Sequence, residues 1–294
     1  MSFNKKDKEQ EKIAPKRVFF NESLIFFSTF ILGILTALRI KNILKIQKIS
    51  PPKINLFEFI FYFFLATLFV FLASISLKQK RKKKFFFKIF YIFAVFLGGV
   101  ITLSAFFGDL ISIFLISLLI FLFLKRPSVF LHNLCLILAS CGIGTTLGIR
   151  LESEIVVFLL IIFSIYDFIA VYKTKHMQKM AKIMIKAGSP LAFIIPSEVR
   201  AFKRETKKME IGKEFLFLGG GDVIFPLILS CSLISKNIFY SLFVAIFSFF
   251  GLSLSFYIFF FFKKRKPIPA LPPIAFFSIL GFYLGKLIFK LDFY

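Results

Sequence analysis

Nine apolar stretches, each near the length a helix needs to cross a bilayer, divide the 294-residue chain at 23–38, 56–77, 86–106, 110–124, 129–149, 154–172, 215–235, 238–262 and 268–289. A hydrocarbon core about 30 Å thick takes roughly 20 such residues per helix. Within it, every backbone N–H and C=O has to be satisfied inside the protein. Few folds survive those two demands, and the pattern predicts an all-α, polytopic integral membrane protein with about nine transmembrane helices. The chain is 58% hydrophobic and carries 48 phenylalanines, too apolar for a soluble domain of its length. The fourth stretch is the shortest, and a hairpin with the third is expected around Phe107-Gly108-Asp109.

A net charge of +24 suits a nucleic-acid binder only if it is spread over a globular surface. Here the basic residues sit in short runs between apolar stretches, where they set topology and meet anionic lipid, so no nucleic acid is expected. Counted in alternate connecting segments, thirty Lys and Arg fall on the N-terminal side and nine on the other. The positive-inside rule then puts the N-terminus in the cytoplasm and the C-terminus outside a cell membrane. Residues 1–22 read as a basic cytosolic tail before a signal anchor, with no small-residue cleavage site. Spans one to six occupy 23–172, a basic cytosolic loop 173–214, and spans seven to nine 215–294. Within the loop, 175–188 has the spacing of an interfacial amphipathic helix. The following Pro190–Pro196 segment is too short to span, and dips into the interface or covers a groove.

The chain offers little to a metal or to a disulfide. Cys135, Cys141 and Cys231 all lie in apolar spans, where packing is the expected role. His132 and His176 form no HExxH pair, so a zinc peptidase lacks ligands. No GxSxG is present for a serine nucleophile.

The acids are more telling. Thirteen of fifteen lie in tails, loops or span edges, among them Glu22 and Glu58 at helix starts. Asp167 and Asp222 lie well inside apolar spans, and an intramembrane acid is a functional candidate by default. Asp167 stands six residues from the cytoplasmic end of the sixth span and Asp222 eight from that of the seventh. At the helical rise these are depths of about 9 and 12 Å on antiparallel neighbours. Two carboxylates brought together in low dielectric do not both ionise readily, so one keeps its proton. Such a pair suits aspartyl proteolysis: one carboxylate activates a water and the protonated one stabilises the developing oxyanion.

Around Asp222, Gly219, Gly220 and Gly221 clear side chains from the carboxylate and allow a close approach of backbone. Pro226 frees the carbonyl of residue 222 from its helical partner. The last span opens on KPIPALPPIAF (266–276), whose prolines oppose a regular helix start and leave backbone groups unpaired.

Tyr166-Asp167, Gly219-Gly220-Gly221-Asp222 and Pro269-Ala270-Leu271 resemble the YD, GxGD and PAL motifs of the presenilin and signal peptide peptidase family of intramembrane aspartyl proteases. They stand in the sixth, seventh and ninth spans, in the family's order. Asp167-Phe168-Ile169-Ala170-Val171 and the charge-derived orientation are closer to presenilin, and resemble a compact microbial homologue such as an archaeal one. The resemblance implies that Asp167 and Asp222 are catalytic, that the PAL segment shapes the substrate site, and that transmembrane helices are cleaved without metal or cofactor. The chain lacks the long hydrophilic loop of animal presenilins, and obligate partner subunits are not implied. Two rivals use similar acids. A prepilin-type peptidase lacks the PAL signature and carries its first aspartate nearer the N-terminus. A proton- or cation-coupled transporter usually shows an internal repeat, which is not seen here.

Overall fold

A computed structural model describes residues 15–77, 79–174, 184–185, 188, 190–206, 215–262 and 268–289. Nine α-helices appear among them: α1 (Pro15–Ile46), α2 (Leu56–Ser76), α3 (Lys80–Phe107), α4 (Asp109–Lys125), α5 (Val129–Arg150), α6 (Ser153–Ile169), α7 (Gly220–Leu233), α8 (Ile238–Tyr257) and α9 (Leu271–Ile288). Seven are long and apolar enough to cross a membrane. The other two, α4 and α7, have 17 and 14 residues. The chain is a multi-pass integral membrane protein. The expected interfacial helix over 175–188 lies outside the described residues apart from Met184, Ile185 and Gly188.

Local chemistry accounts for several boundaries. Pro15 opens α1 at a position where its missing N–H is no loss. Asn55 and Glu58 form a reciprocal capping box at the start of α2. The hairpin between α3 and α4 turns on Gly108 at φ 75°, a left-handed conformation that a side chain disfavours.

Helix α5 is the axis of the larger core, packed between α1, α3 and α7. Small residues bring the backbones together, the usual means of association where lipid removes the hydrophobic drive between helices. A Cβ at Gly142 would overlap the Gly98 carbonyl of α3, and one at Gly148 would lie 2.8 Å from the Ile228 carbonyl of α7. Hydroxyls tie the same seams: Thr102 donates to the Leu138 carbonyl at 2.7 Å and Thr145 to the Gly33 carbonyl at 3.1 Å. All three cysteines are free and buried. A second core joins α6, α7, α8 and α9.

Two segments depart from the expected pattern. Ala192–Pro196 is a strand, β1, paired antiparallel with β2 (Phe215–Gly219). The seventh span therefore begins at Gly220, since the FLFLG run that precedes it is extended. An unbroken apolar run of five residues carries no periodicity to separate strand from helix. The first span also begins earlier than 23. Residues 15–22 form the opening turns of α1, with Val18, Asn21 and Glu22 buried, because Asn21 anchors them to β1 by donating to the Pro196 carbonyl at 2.8 Å.

Candidate active site

The strand β1 is held on both edges. Among the described residues no third strand lies on its outer edge; side chains of α1 and α5 take that place. Asn133 Nδ2 donates to the Ile194 carbonyl at 2.7 Å and Asn133 Oδ1 accepts the Ile194 N–H at 2.9 Å. His132 Nε2 donates to the Ala192 carbonyl at 3.0 Å, and its ring stacks on Tyr91. Residues 192, 194 and 196 thus face the helices. By alternation, 193 and 195 face β2, and the backbone groups of Phe215, Phe217 and Gly219 point from the far edge of β2. Among the described residues no strand pairs with that far edge.

The end of β2 delivers Asp222. Gly220 N–H donates to the Leu191 carbonyl at 3.2 Å, which fixes the junction, and α7 starts at once. Asp222 is the third residue of α7, and its carboxylate turns back to face the Gly219 N–H. An acid at this position complements the positive end of the helix. The three glycines separate by this geometry. A Cβ at Gly219 would lie 2.8 Å from Asp222 Oδ2, and one at Gly220 would lie 3.0 Å from the Leu191 carbonyl oxygen. Gly221 is exposed, and a Cβ there meets only the Phe225 ring at 3.5 Å.

Asp167 arrives from the last turns of α6, just before a π-helical turn over Ala170–Thr174. It is 8% exposed, and its Oδ2 accepts the Leu271 N–H at 3.3 Å. Leu271 is the first residue of α9, so this N–H has no partner within the helix. Pro272 and Pro273 follow, at positions where an absent donor costs nothing. Helix α8 clamps the segment: Ser255 donates to the Ala270 carbonyl at 3.2 Å, and Gly251 admits the backbone of Pro273 and Ile274. Pro269 and Leu271 are buried and Ala270 is half-buried. One of the backbone groups expected to be left free at this proline-rich start therefore holds Asp167.

The two aspartates lie within electrostatic reach of each other, each at the N-terminal end of a helix, α7 for one and α9 for the other. Tyr166 stands apart; it is 63% exposed and turned to the protein surface. A ring series connects the site to α2: Phe225 stacks on Phe163 at 4.3 Å between centroids, and Phe163 meets Phe63 at 4.8 Å. Among the described residues no three His, Cys, Asp or Glu side chains are grouped to hold a metal ion.

One buried carboxyl was read differently from sequence. Glu22 is not at a helix start but in the third turn of α1, where it is 7% exposed. The signal was available: Asn21-Glu22-Ser23 is a polar triplet between Phe19-Phe20 and Leu24-Ile25-Phe26-Phe27.

Residues 22–291 match the family model described as signal-peptide peptidase, presenilin aspartyl protease. No curated protein matches the chain. Two solved structures of a presenilin family intramembrane aspartate protease, in the C222 and P2 space groups, share its fold. The first is 20% identical, with a TM-score of 0.59 over 90% of this chain and 95% of the other. The second is 21% identical, with a TM-score of 0.60 over 90% and 96%. The chain belongs to the signal-peptide peptidase and presenilin family of intramembrane aspartyl proteases.

Proposed function

We propose that Asp167 and Asp222 are the catalytic pair, hydrolysing peptide bonds within transmembrane helices of other membrane proteins. The observation that carries this reading is their convergence from neighbouring spans, one on the strand–helix junction after β2 and the other on the Leu271 N–H. The ionised carboxylate takes a proton from water as the oxygen attacks the scissile carbonyl. The protonated carboxyl hydrogen-bonds the carbonyl oxygen and stabilises its developing charge. Collapse of the tetrahedral intermediate breaks the C–N bond, and the leaving amine takes the proton gained by the base. The pair titrates as a unit, so neither aspartate is assigned as the base.

A substrate helix has to unwind before its carbonyl is open to attack. The outward backbone groups of Phe215, Phe217 and Gly219 offer an extended chain a hydrogen-bonding edge that ends at Asp222. The exposed Gly221 leaves room for that chain beside the acid. Pro269, Ala270 and Leu271 line the opposite wall, with Leu271 holding Asp167 through its N–H. The distribution of basic residues supports a cell-membrane protein with a cytoplasmic N-terminus and the acids near that face.

The test is cleavage of a reconstituted single-span substrate followed by mass spectrometry, with a chelator present throughout. Wild type cuts inside the apolar segment, and Asp167→Asn and Asp222→Asn do not. Intact substrates together with proton or cation flux dependent on the same residues would replace the protease with a transporter.

A further inference from the structure

Glu22 has no role in the two-aspartate reading, yet its setting is unusual. It is buried in α1, and among the described residues its Oε2 has no hydrogen-bond partner and no Lys or Arg pairs with it. A buried carboxyl without a partner is costly and needs a reason. The neighbouring Asn21 pins this turn of α1 to Pro196 of β1, and further along Gly33 of α1 packs on Leu227 of α7, so Glu22 and Asp222 both lie toward the N-terminal ends of two packed helices. Asp222 is the ionisable group whose field reaches it. The other titratable groups on elements packed against α1 are engaged or remote. His132 of α5 and Tyr91 of α3 stack on each other, with His132 bonded to Ala192, and β1 carries no ionisable side chain. Tyr240 of α8 donates to the Phe282 carbonyl, and Tyr257 is exposed. Lys16 and Arg17 of α1 itself are exposed.

We propose that Glu22 is a third carboxyl of the site, a positioning residue that acts through Asp222 to keep the proton shared by the catalytic pair. The inference rests on the assignment of Asp167 and Asp222 as that pair. Carboxyl groups that interact in a low-dielectric site do not all ionise together, so a charge on Glu22 opposes the loss of the working proton through Asp222. A glutamine of the same shape removes that opposition.

The experiment is the pH dependence of kcat on the reconstituted substrate for wild type, Glu22→Asp and Glu22→Gln, with folding followed by thermal melting. The alkaline limb of Glu22→Gln moves to lower pH by about one unit, the scale of an interaction between neighbouring ionisable groups. Glu22→Asp keeps a carboxyl but draws it back, and its limb falls between the two. Should the glutamine variant fail to fold, the displacement of the aspartate variant alone decides. A limb that coincides with wild type in the folded variants, whatever the maximal rate, overturns the proposal and leaves Glu22 a packing residue. Asp222→Asn is run alongside. If it stays active, the catalytic pair is wrong; if it is inert while the Glu22 limbs do not move, Glu22 alone is excluded.

Discussion

Helices α5 and α2 have 22 and 21 residues, and both are long and apolar enough to cross the membrane, yet they are held in opposite ways. Two thirds of the α5 span is buried, whereas the α2 span is almost wholly exposed apart from Phe59, although α2 is the more hydrophobic. In lipid, hydropathy draws no helix inward, because the tails outside are as apolar as any core. What buries α5 is its run of glycines, threonines and other small residues, which let neighbouring backbones touch and bond. Helix α2 has phenylalanines instead, most of them facing outward. Its attachments include Phe59 in the smaller core and the ring contacts of Phe63 with Phe163 and Phe69 with Phe86. The molecule thus combines a closely seamed block of α1, α3, α5 and α7 with a lightly attached aromatic wall next to the acids.

The contrast can be broken at the seam first. Gly142→Leu drives a side chain into the α3 backbone and costs about 3 kcal/mol or more, enough to remove the folded protein from detergent extracts analysed by size-exclusion chromatography. Asn133→Ala comes next. It strands the buried N–H and C=O of Ile194, at about 1–3 kcal/mol each, and lowers both melting temperature and kcat through β1. Gly219→Ala sets a methyl against the Asp222 carboxylate and lowers kcat about tenfold or more, whereas Gly221→Ala, with open space, leaves thermal stability unchanged. On the other side of the comparison, Phe63→Ala removes the ring contacts with Phe163 and Phe59, each worth about 1 kcal/mol, and shows more in KM than in melting temperature. The smallest effect belongs to Phe61→Ala on the exposed face of α2, within about 0.5 kcal/mol of wild type. A larger loss there would mean that α2 is part of the block.

How far sequence carries a reader depends on which physical signal each part leaves. The spans were legible because apolar length is a demand of the bilayer, and Asp167 and Asp222 stood out because acids are so scarce there. The strands were not, since PLAFIIP and FLFLG are short apolar runs whose conformation is set by Asn133, His132 and Asn21 from distant helices. The role of Leu271 was hidden for a different reason: it acts through its backbone N–H, which the side chain does not advertise. Glu22 was visible as a polar interruption, but its burial is made by helices distant in sequence that pack on α1.

The outward edge of β2 has a consequence for solvent. Hydrocarbon does not tolerate bare peptide groups, so the N–H and C=O groups of Phe215 and Phe217 and the Gly219 carbonyl have to be met by something polar whenever no substrate lies there. Water is the smallest molecule that can meet them, and a hydrated cleft ending at Asp222 follows. The strand proposed to receive an unwound chain is therefore also a conduit, bringing into the membrane the one reagent besides substrate that hydrolysis consumes.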